Sequence, residues 1–349
     1  MKVFYSDQFV LPLPEGHRFP MKKYSMLRER VERDGICGPE ELRIPQPVTD
    51  EEILRAHEGA YLEKVVSGKL TDKEMRRIGF PWSKRMVERS RRASGGTLGA
   101  CRAALEDGLA ANLAGGTHHA FGDRGEGFCV FNDSAIAPRA LRTAGLVNKV
   151  VVLDTDVHQG NGTASILRGD PNVFTFSIHG AKNYPFHKEE SDLDVPLPDG
   201  ADDETFLAAL SGALDRVLDS APWDLAIFLA GADPFEDDKL GRLCVTKEGL
   251  AERDQMVLQG CRKRDIPVAV TMAGGYAKRV EDTVEIHFQT IERAASMLAS
   301  ERDAARAGTV RGVVQHVRVT PERVDSPGIP TVDAQVRSAS PFERVERSP

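Results

Sequence analysis

The chain has 349 residues, with 46 Lys and Arg against 53 Asp and Glu and a formal net charge of −7. Apolar types make up 41% and charged types 28%, an ordinary globular composition that excludes a collagen-like or wholly disordered chain. The mild acidity gives no electrostatic basis for nucleic-acid binding, and without a run of about 18 apolar residues no membrane span is expected.

In chain order, Met1–Val10 is a short β-like run, with Lys2–Gln8 as a candidate strand. It has neither a basic leader nor a cleavage signal, so a cytoplasmic protein is expected. Pro12 to Pro47 holds five prolines before Pro47 itself and reads as loop-rich. Arg76–Arg92 is strongly basic and reads as a loop followed by a solvated helix face. Thr97–Ala111 reads as a helix and Asn112–Ala114 as a weak strand. Ser134–Thr143 follows as a helix, then strands at Val150–Leu153 and Val173–Ile178. Asp203–Leu218 is a helix capped by Asp202, Leu225–Ala230 a strand, Thr246–Cys261 a helix capped by Thr246, Pro267–Met272 a strand and Val280–Leu298 a helix. From Glu301 no helical period is visible, and Val310–Val319 has a weak β-like pattern. Residues 1–300 are therefore expected to form the folded domain, with 301–349 a mobile C-terminal extension. Strands alternating with helices predict an α/β fold with mainly parallel strands covered on both faces. Five scattered cysteines (Cys37, Cys101, Cys129, Cys244, Cys261) form no CxxC pair, which suggests neither a disulfide framework nor a cysteine zinc site.

Four polar clusters each follow an apolar run. Gly115-Gly116-Thr117-His118-His119 follows Asn112–Ala114, and Asp154-Thr155-Asp156-Val157-His158 follows Val150–Leu153. Gly231-Ala232-Asp233 follows Leu225–Ala230, and Gly274-Gly275-Tyr276 follows Pro267–Met272. In an open parallel sheet, ligands bind beyond the carboxyl ends of the strands, so these four segments should converge. Asp156 and His158, two apart on extended chain, share a face. With Asp233 they make an O/N/O set suited to zinc with an open position, or to Fe(II) or Mn(II). Amide hydrolysis needs a base for water and an acid for the departing amine. His118 and His119 can divide those roles if Asp154 and Asn161 accept from their rings and separate their basicities. Tyr276 can donate to an oxyanion.

These residues stand in GGTHHAFGDRGEGFCVFND (Gly115–Asp133), VVLDTDVHQGNGT (Val151–Thr163), LAGADPFEDDKLGRL (Leu229–Leu243) and AGGYAKR (Ala273–Arg279). With them the sequence resembles the zinc-dependent histone deacetylase superfamily from about Leu11 to Leu298, nearest its class IV branch and bacterial relatives. The resemblance implies an arginase/deacetylase-like three-layer α/β/α fold. It implies a Zn2+ site, with Fe2+ as an alternative, at Asp156, His158 and Asp233. His119 would be general base and acid, held by Asn161, and His118 its electrostatic partner on Asp154; Tyr276 would polarise the carbonyl. The Gly127 carbonyl would accept the substrate amide N–H, and Phe128 and Tyr184 would wall a tunnel for the lysine methylenes. A structural K+ or Na+ would sit at Asp154, the carbonyls of Asp156 and His158, Ser177 and Ile178. Leu240 stands where polyamine-selective relatives carry Glu, which favours acyl-lysine over acetylpolyamine. Thr117 and Lys23 are the positions where the acyl pocket is expected, and Phe80 and Trp82 are candidates for the tunnel mouth. The implied activity is removal of acyl groups from Nε-acyl-lysine of a protein or peptide. The alternatives are deacylation of small acylated amines and an acyl-lysine binding module with little catalysis. Oligomeric state is left open.

Overall fold

The computed structural model describes the backbone of residues 1–314 and the side chains of residues 1–301. Among them are eight strands: β1 (Val3–Phe4), β2 (Leu42–Arg43), β3 (Leu109–Asn112), β4 (Val150–Asp154), β5 (Val173–Gly180), β6 (Leu193–Leu197), β7 (Leu225–Leu229) and β8 (Val268–Thr271). They form one sheet in the order β2-β1-β3-β8-β7-β4-β5-β6, and every neighbouring pair is parallel. The helices are α1 (Lys22–Arg33), α2 (Asp50–Leu54), α3 (Gly59–Ser67), α4 (Asp72–Ile78), α5 (Lys84–Asp107), α6 (Asp133–Thr143), α7 (Asn161–Leu167), α8 (Asp203–Leu218), α9 (Lys247–Arg262) and α10 (Val280–Val314). No helix among the described residues is long and apolar enough to cross a membrane.

The central strands are buried on both faces, so their side chains feed two cores alternately. Val151, Leu153, Ala226, Phe228, Val268 and Val270 pack with Leu27, Phe206, Leu210, Val257, Leu258 and Ile291, from α1 and α8–α10. Val150, Val152, Leu225, Ile227 and Ala269 pack with Ile53, Val65, Met86, Leu98, Ile136 and Leu141, from α2, α3, α5 and α6. This is the expected three-layer arrangement. Residues Met1–Asp303 form one compact unit.

Several sequence expectations are corrected. The Pro12–Pro47 stretch contains α1, and α2–α4 follow it. Helix α5 starts at Lys84, not Thr97, with the Ser83 side chain accepting from the Met86 N–H. It ends at Gly108, whose φ of 89° suits only glycine comfortably. The strand then begins at Leu109, not Asn112, because Leu109–Asn112 lies wholly buried between β1 and β8; tertiary burial overrides the helix propensity of its alanines. α7 and β6 had no sequence expectation. α10 runs past Leu298 to Val314, so the absence of helix expected from Glu301, and the β-like reading of 310–314, are both overturned. The remainder of the expected extension lies outside the described residues.

Candidate active site

Because β3, β8, β7, β4 and β5 are adjacent and parallel, the four polar clusters and the end of β5 emerge at one edge. The turn after β3 is shaped by Gly115 and Gly116, with φ of 79° and 71°. Asp133, at the start of α6, fixes that turn by accepting from the Gly116 and Thr117 N–H groups, each at 2.8 Å. This aims His118 and His119 into the site with ring centroids 4.2 Å apart. His118 Nδ1 lies 2.7 Å from Asp154 Oδ2, and His119 Nδ1 lies 2.7 Å from Asn161 Oδ1.

Ligand atoms of Asp156, His158 and Asp233 lie within 4.8 Å of one another, and all three residues are buried. The site is braced by backbone. The Asp156 carboxylate accepts from the Gly274 N–H at 2.8 Å, and Asp233 Oδ1 accepts from the Val157 N–H at 2.9 Å. Asp233 Oδ2 is buried without a hydrogen-bond partner, 3.3 Å from His158 Nδ1. Two buried carboxylates converging with one lone oxygen form a cradle that suits a divalent cation. The O/N/O donor set fits Zn2+ and also Fe2+ or Mn2+.

Electrostatics separates the two histidines. Burial disfavours a charge on His118, but the Asp154 and Asp156 carboxylates outweigh it and push the ring up to about 9. Burial and the neighbouring His118 and His158 hold His119 well below its ordinary value. The two rings are therefore unequal in basicity, His118 the more readily charged. Burial raises the Tyr276 phenol well above its ordinary value, so it stays a hydrogen-bond donor.

His118, His119, Asp156, His158, Gly127, Phe128, Tyr184, Asp233, Leu240, Tyr276 and Thr117 all line one cavity of about 460 Å³. Gly127 and Phe128 adopt successive positive φ angles of 54° and 65°, and a Cβ on Gly127 would press within 2.6 Å of His119 Cδ2. Tyr184 stands with its ring 5.0 Å from His119, and its hydroxyl donates to Glu126 at 2.6 Å. Asp154 and Asn161 sit behind the two rings instead of lining the cavity. Lys23 is likewise not in the cavity wall. It is buried behind Tyr276, its ammonium 5.3 Å from that ring and 3.3 Å from the Gly275 carbonyl. Ser177 pairs with Asp154 in register across β4 and β5, and its hydroxyl lies 2.9 Å from His179 Nδ1. Neither Ser177 nor Ile178 lines the cavity. Phe80 borders the cavity, whereas Trp82 does not; its indole donates to the Val65 carbonyl at 2.7 Å.

Other positioning residues escaped the sequence reading. Asp238 accepts from three backbone N–H groups: Leu240 at 2.7 Å, Gly241 at 3.0 Å and Tyr276 at 2.6 Å. The fully buried Arg253 donates to the Gly231 carbonyl at 2.5 Å, and His287 Nε2 lies 3.1 Å from the Gly274 carbonyl. Nothing local in sequence ties Asp238 to Tyr276, 38 residues later.

The histone deacetylase domain model matches residues 17–291. An uncharacterized protein of Picosynechococcus sp. is 45% identical over 82% of this chain and 95% of its own length. Histone deacetylase 2 of Arabidopsis thaliana is 26% identical over 82% of this chain and 78% of its own. A solved histone deacetylase homologue from Aquifex aeolicus covers 84% of each chain with a TM-score of 0.73 at 23% identity. The domain match over most of the chain, with the close Picosynechococcus relative, establishes that this protein belongs to the histone deacetylase family.

Proposed function

We propose that this protein is a metal-dependent hydrolase that removes acyl groups from Nε-acyl-lysine. The observation that carries the reading is the convergence of the Asp156–His158–Asp233 cradle, two unequal imidazoles and a buried phenol at one cavity. A divalent ion held by those three residues would supply Lewis acidity, polarising a carbonyl and acidifying water. The other duties fall to the protein. The Asn161 amide oxygen accepts from His119 Nδ1–H, which leaves the lone pair on Nε2. His119 then takes the proton of the attacking water and returns it to the departing amine. His118, charged on Asp154, supplies a fixed positive field beside it. Tyr276 donates to the developing oxyanion, and the Gly127 carbonyl accepts the substrate amide N–H. Phe128 and Tyr184 flank the lysine methylenes, whose burial is worth about 0.8 kcal/mol each. Asp154, the Asp156 and His158 carbonyls, Ser177 and Ile178 would hold a structural K+ or Na+. All these residues lie within residues 1–300, the assigned catalytic domain.

The cavity lining favours acyl-lysine over acetylpolyamine. Among the described residues it contains Arg18, Arg77, Arg89, Lys182 and Arg242, while Asp156 and Asp233 are its only carboxylates. A cationic polyamine finds no spare counter-charge there. The test is turnover of acetyl-lysine peptides, long-chain acyl-lysine peptides and acetylpolyamines by zinc-loaded protein, with and without chelator. Chelator-sensitive release from the lysine peptides is expected. Preference for acetylpolyamines would reassign the substrate, and binding without turnover would make the protein an acyl-lysine reader.

A further inference from the structure

The cavity lining also includes Ala93, Ser90, Tyr24 and Arg89. Arg89 lies on α5, one turn before Ala93, and is only 5% exposed. Its guanidinium stacks 4.3 Å over the Tyr24 ring and donates once, to the Ser6 carbonyl at 3.3 Å. Nearby arginines are paired: Arg28 with Asp7, Arg91 with Asp50 and Arg92 with Glu88. Among the described residues Arg89 has no carboxylate at ion-pair distance. A buried, always-charged group with one neutral acceptor, facing a cavity, is costly unless an anion occupies that cavity.

Aromatic rings line the cavity beside it. Tyr24 packs 6.0 Å from Phe19, and Phe19 lies 5.3 Å from Phe128 and 6.3 Å from Tyr276. An acyl chain reaching Arg89 through this cavity would lie against these rings, with the Lys23 ammonium held behind them, 5.3 Å from the Tyr24 and Tyr276 rings and outside the lining. We propose that Arg89 is a specificity-determining residue that receives the terminal carboxylate of the acyl chain, so that the substrates include lysines carrying dicarboxylic acyl groups. The inference rests on the hydrolase reading above. The reaction balances as ordinary amide hydrolysis. The oxygen of water bonds to the acyl carbon, the C–N bond breaks, the amine leaves with a proton, and the products are lysine and a free dicarboxylate.

The test compares zinc-loaded enzyme on one peptide bearing succinyl-, glutaryl-, adipoyl- or suberoyl-lysine with the same peptide bearing butyryl-, valeryl-, hexanoyl- or octanoyl-lysine. At the length that reaches Arg89, kcat/KM for the carboxylated acyl should exceed its neutral match by about tenfold or more. Arg89→Gln should erase that ratio and Arg89→Lys restore part of it. A second readout needs no turnover: adipamic acid, but not hexanamide, should raise the melting temperature of the metal-free wild type and not of Arg89→Gln. If neutral acyl peptides are cleaved and no carboxylated one is preferred, the inference is overturned while the hydrolase reading stands. Arg89-dependent inhibition by plain monocarboxylates without that preference would assign the guanidinium to the departing acid, and also overturns it. If neither series is cleaved, the hydrolase reading fails and the inference falls with it.

Discussion

His57 gives a prediction that depends on no assumption about substrate. Its ring is 4% exposed, against Tyr61 and Phe131, and its Nε2 accepts the Asn132 backbone N–H at 2.9 Å. Burial pushes the ring from 6.5 down to about 4, with smaller opposing help from the Phe121 and Gly122 carbonyls. Protonating Nε2 would set two donors against each other, so the folded protein holds this ring neutral. The folded-state value is depressed, so between about pH 6.5 and 4 the unfolded chain binds the extra proton. Stability from this site is full above the unfolded value and declines as pH falls through that window. A ring titrating near 4 instead of 6.5 binds its proton about 3 kcal/mol less favourably. Of this, about 2 kcal/mol should be lost between about pH 7.5 and about pH 5. The check is urea unfolding of wild type and His57→Gln across that range. Gln can accept the same N–H without titrating, so the variant's stability should fall less steeply by about 2 kcal/mol. Parallel curves for the two proteins would refute the reasoning. The effect bears on the site because Asn132 caps α6, whose next residue, Asp133, holds the His118–His119 turn.

Asp238→Asn should lower kcat by about 30-fold, since an amide N–H replaces an acceptor of backbone N–H groups and about 2 kcal/mol of Tyr276 positioning is lost. Bound zinc should stay unchanged and the rate should resemble that of Tyr276→Phe; wild-type kcat would remove Asp238 from the positioning role. In Gly274→Ala, the new Cβ would overlap Asp233 Oδ2 and come within 2.6 Å of Asp156 Oδ2. Zinc affinity, read by competition with a chelating dye, should fall at least about tenfold. An unaltered affinity would show that the turn yields.

What was legible in the sequence follows from where the physics is local. β4 and β7 are continuous apolar runs because both of their faces are buried, and the Asp202 and Thr246 caps of α8 and α9 are local hydrogen bonds. The site was legible for a related reason: parallel strands deliver whatever follows them to one edge, so polar clusters after apolar runs had to meet. The short helices α2 and α4 each carry a capping box, at Thr49 and Thr71, but bury too little to show a period. α7 includes Gly162, where a Cβ would strike the Ala120 carbonyl, a demand set by chain more than forty residues away. Asp238, Arg253 and His57 act across 38, 22 and 75 residues, and no spacing rule reveals them.

The two outer strands of the sheet have a consequence for how copies of this protein meet. β2 has two residues, and β6 carries at its centre the half-buried Val195 followed by the exposed Pro196, which has no N–H to offer. A new strand arriving at either margin finds little to pair with, so edge-to-edge aggregation through sheet growth is discouraged at both ends.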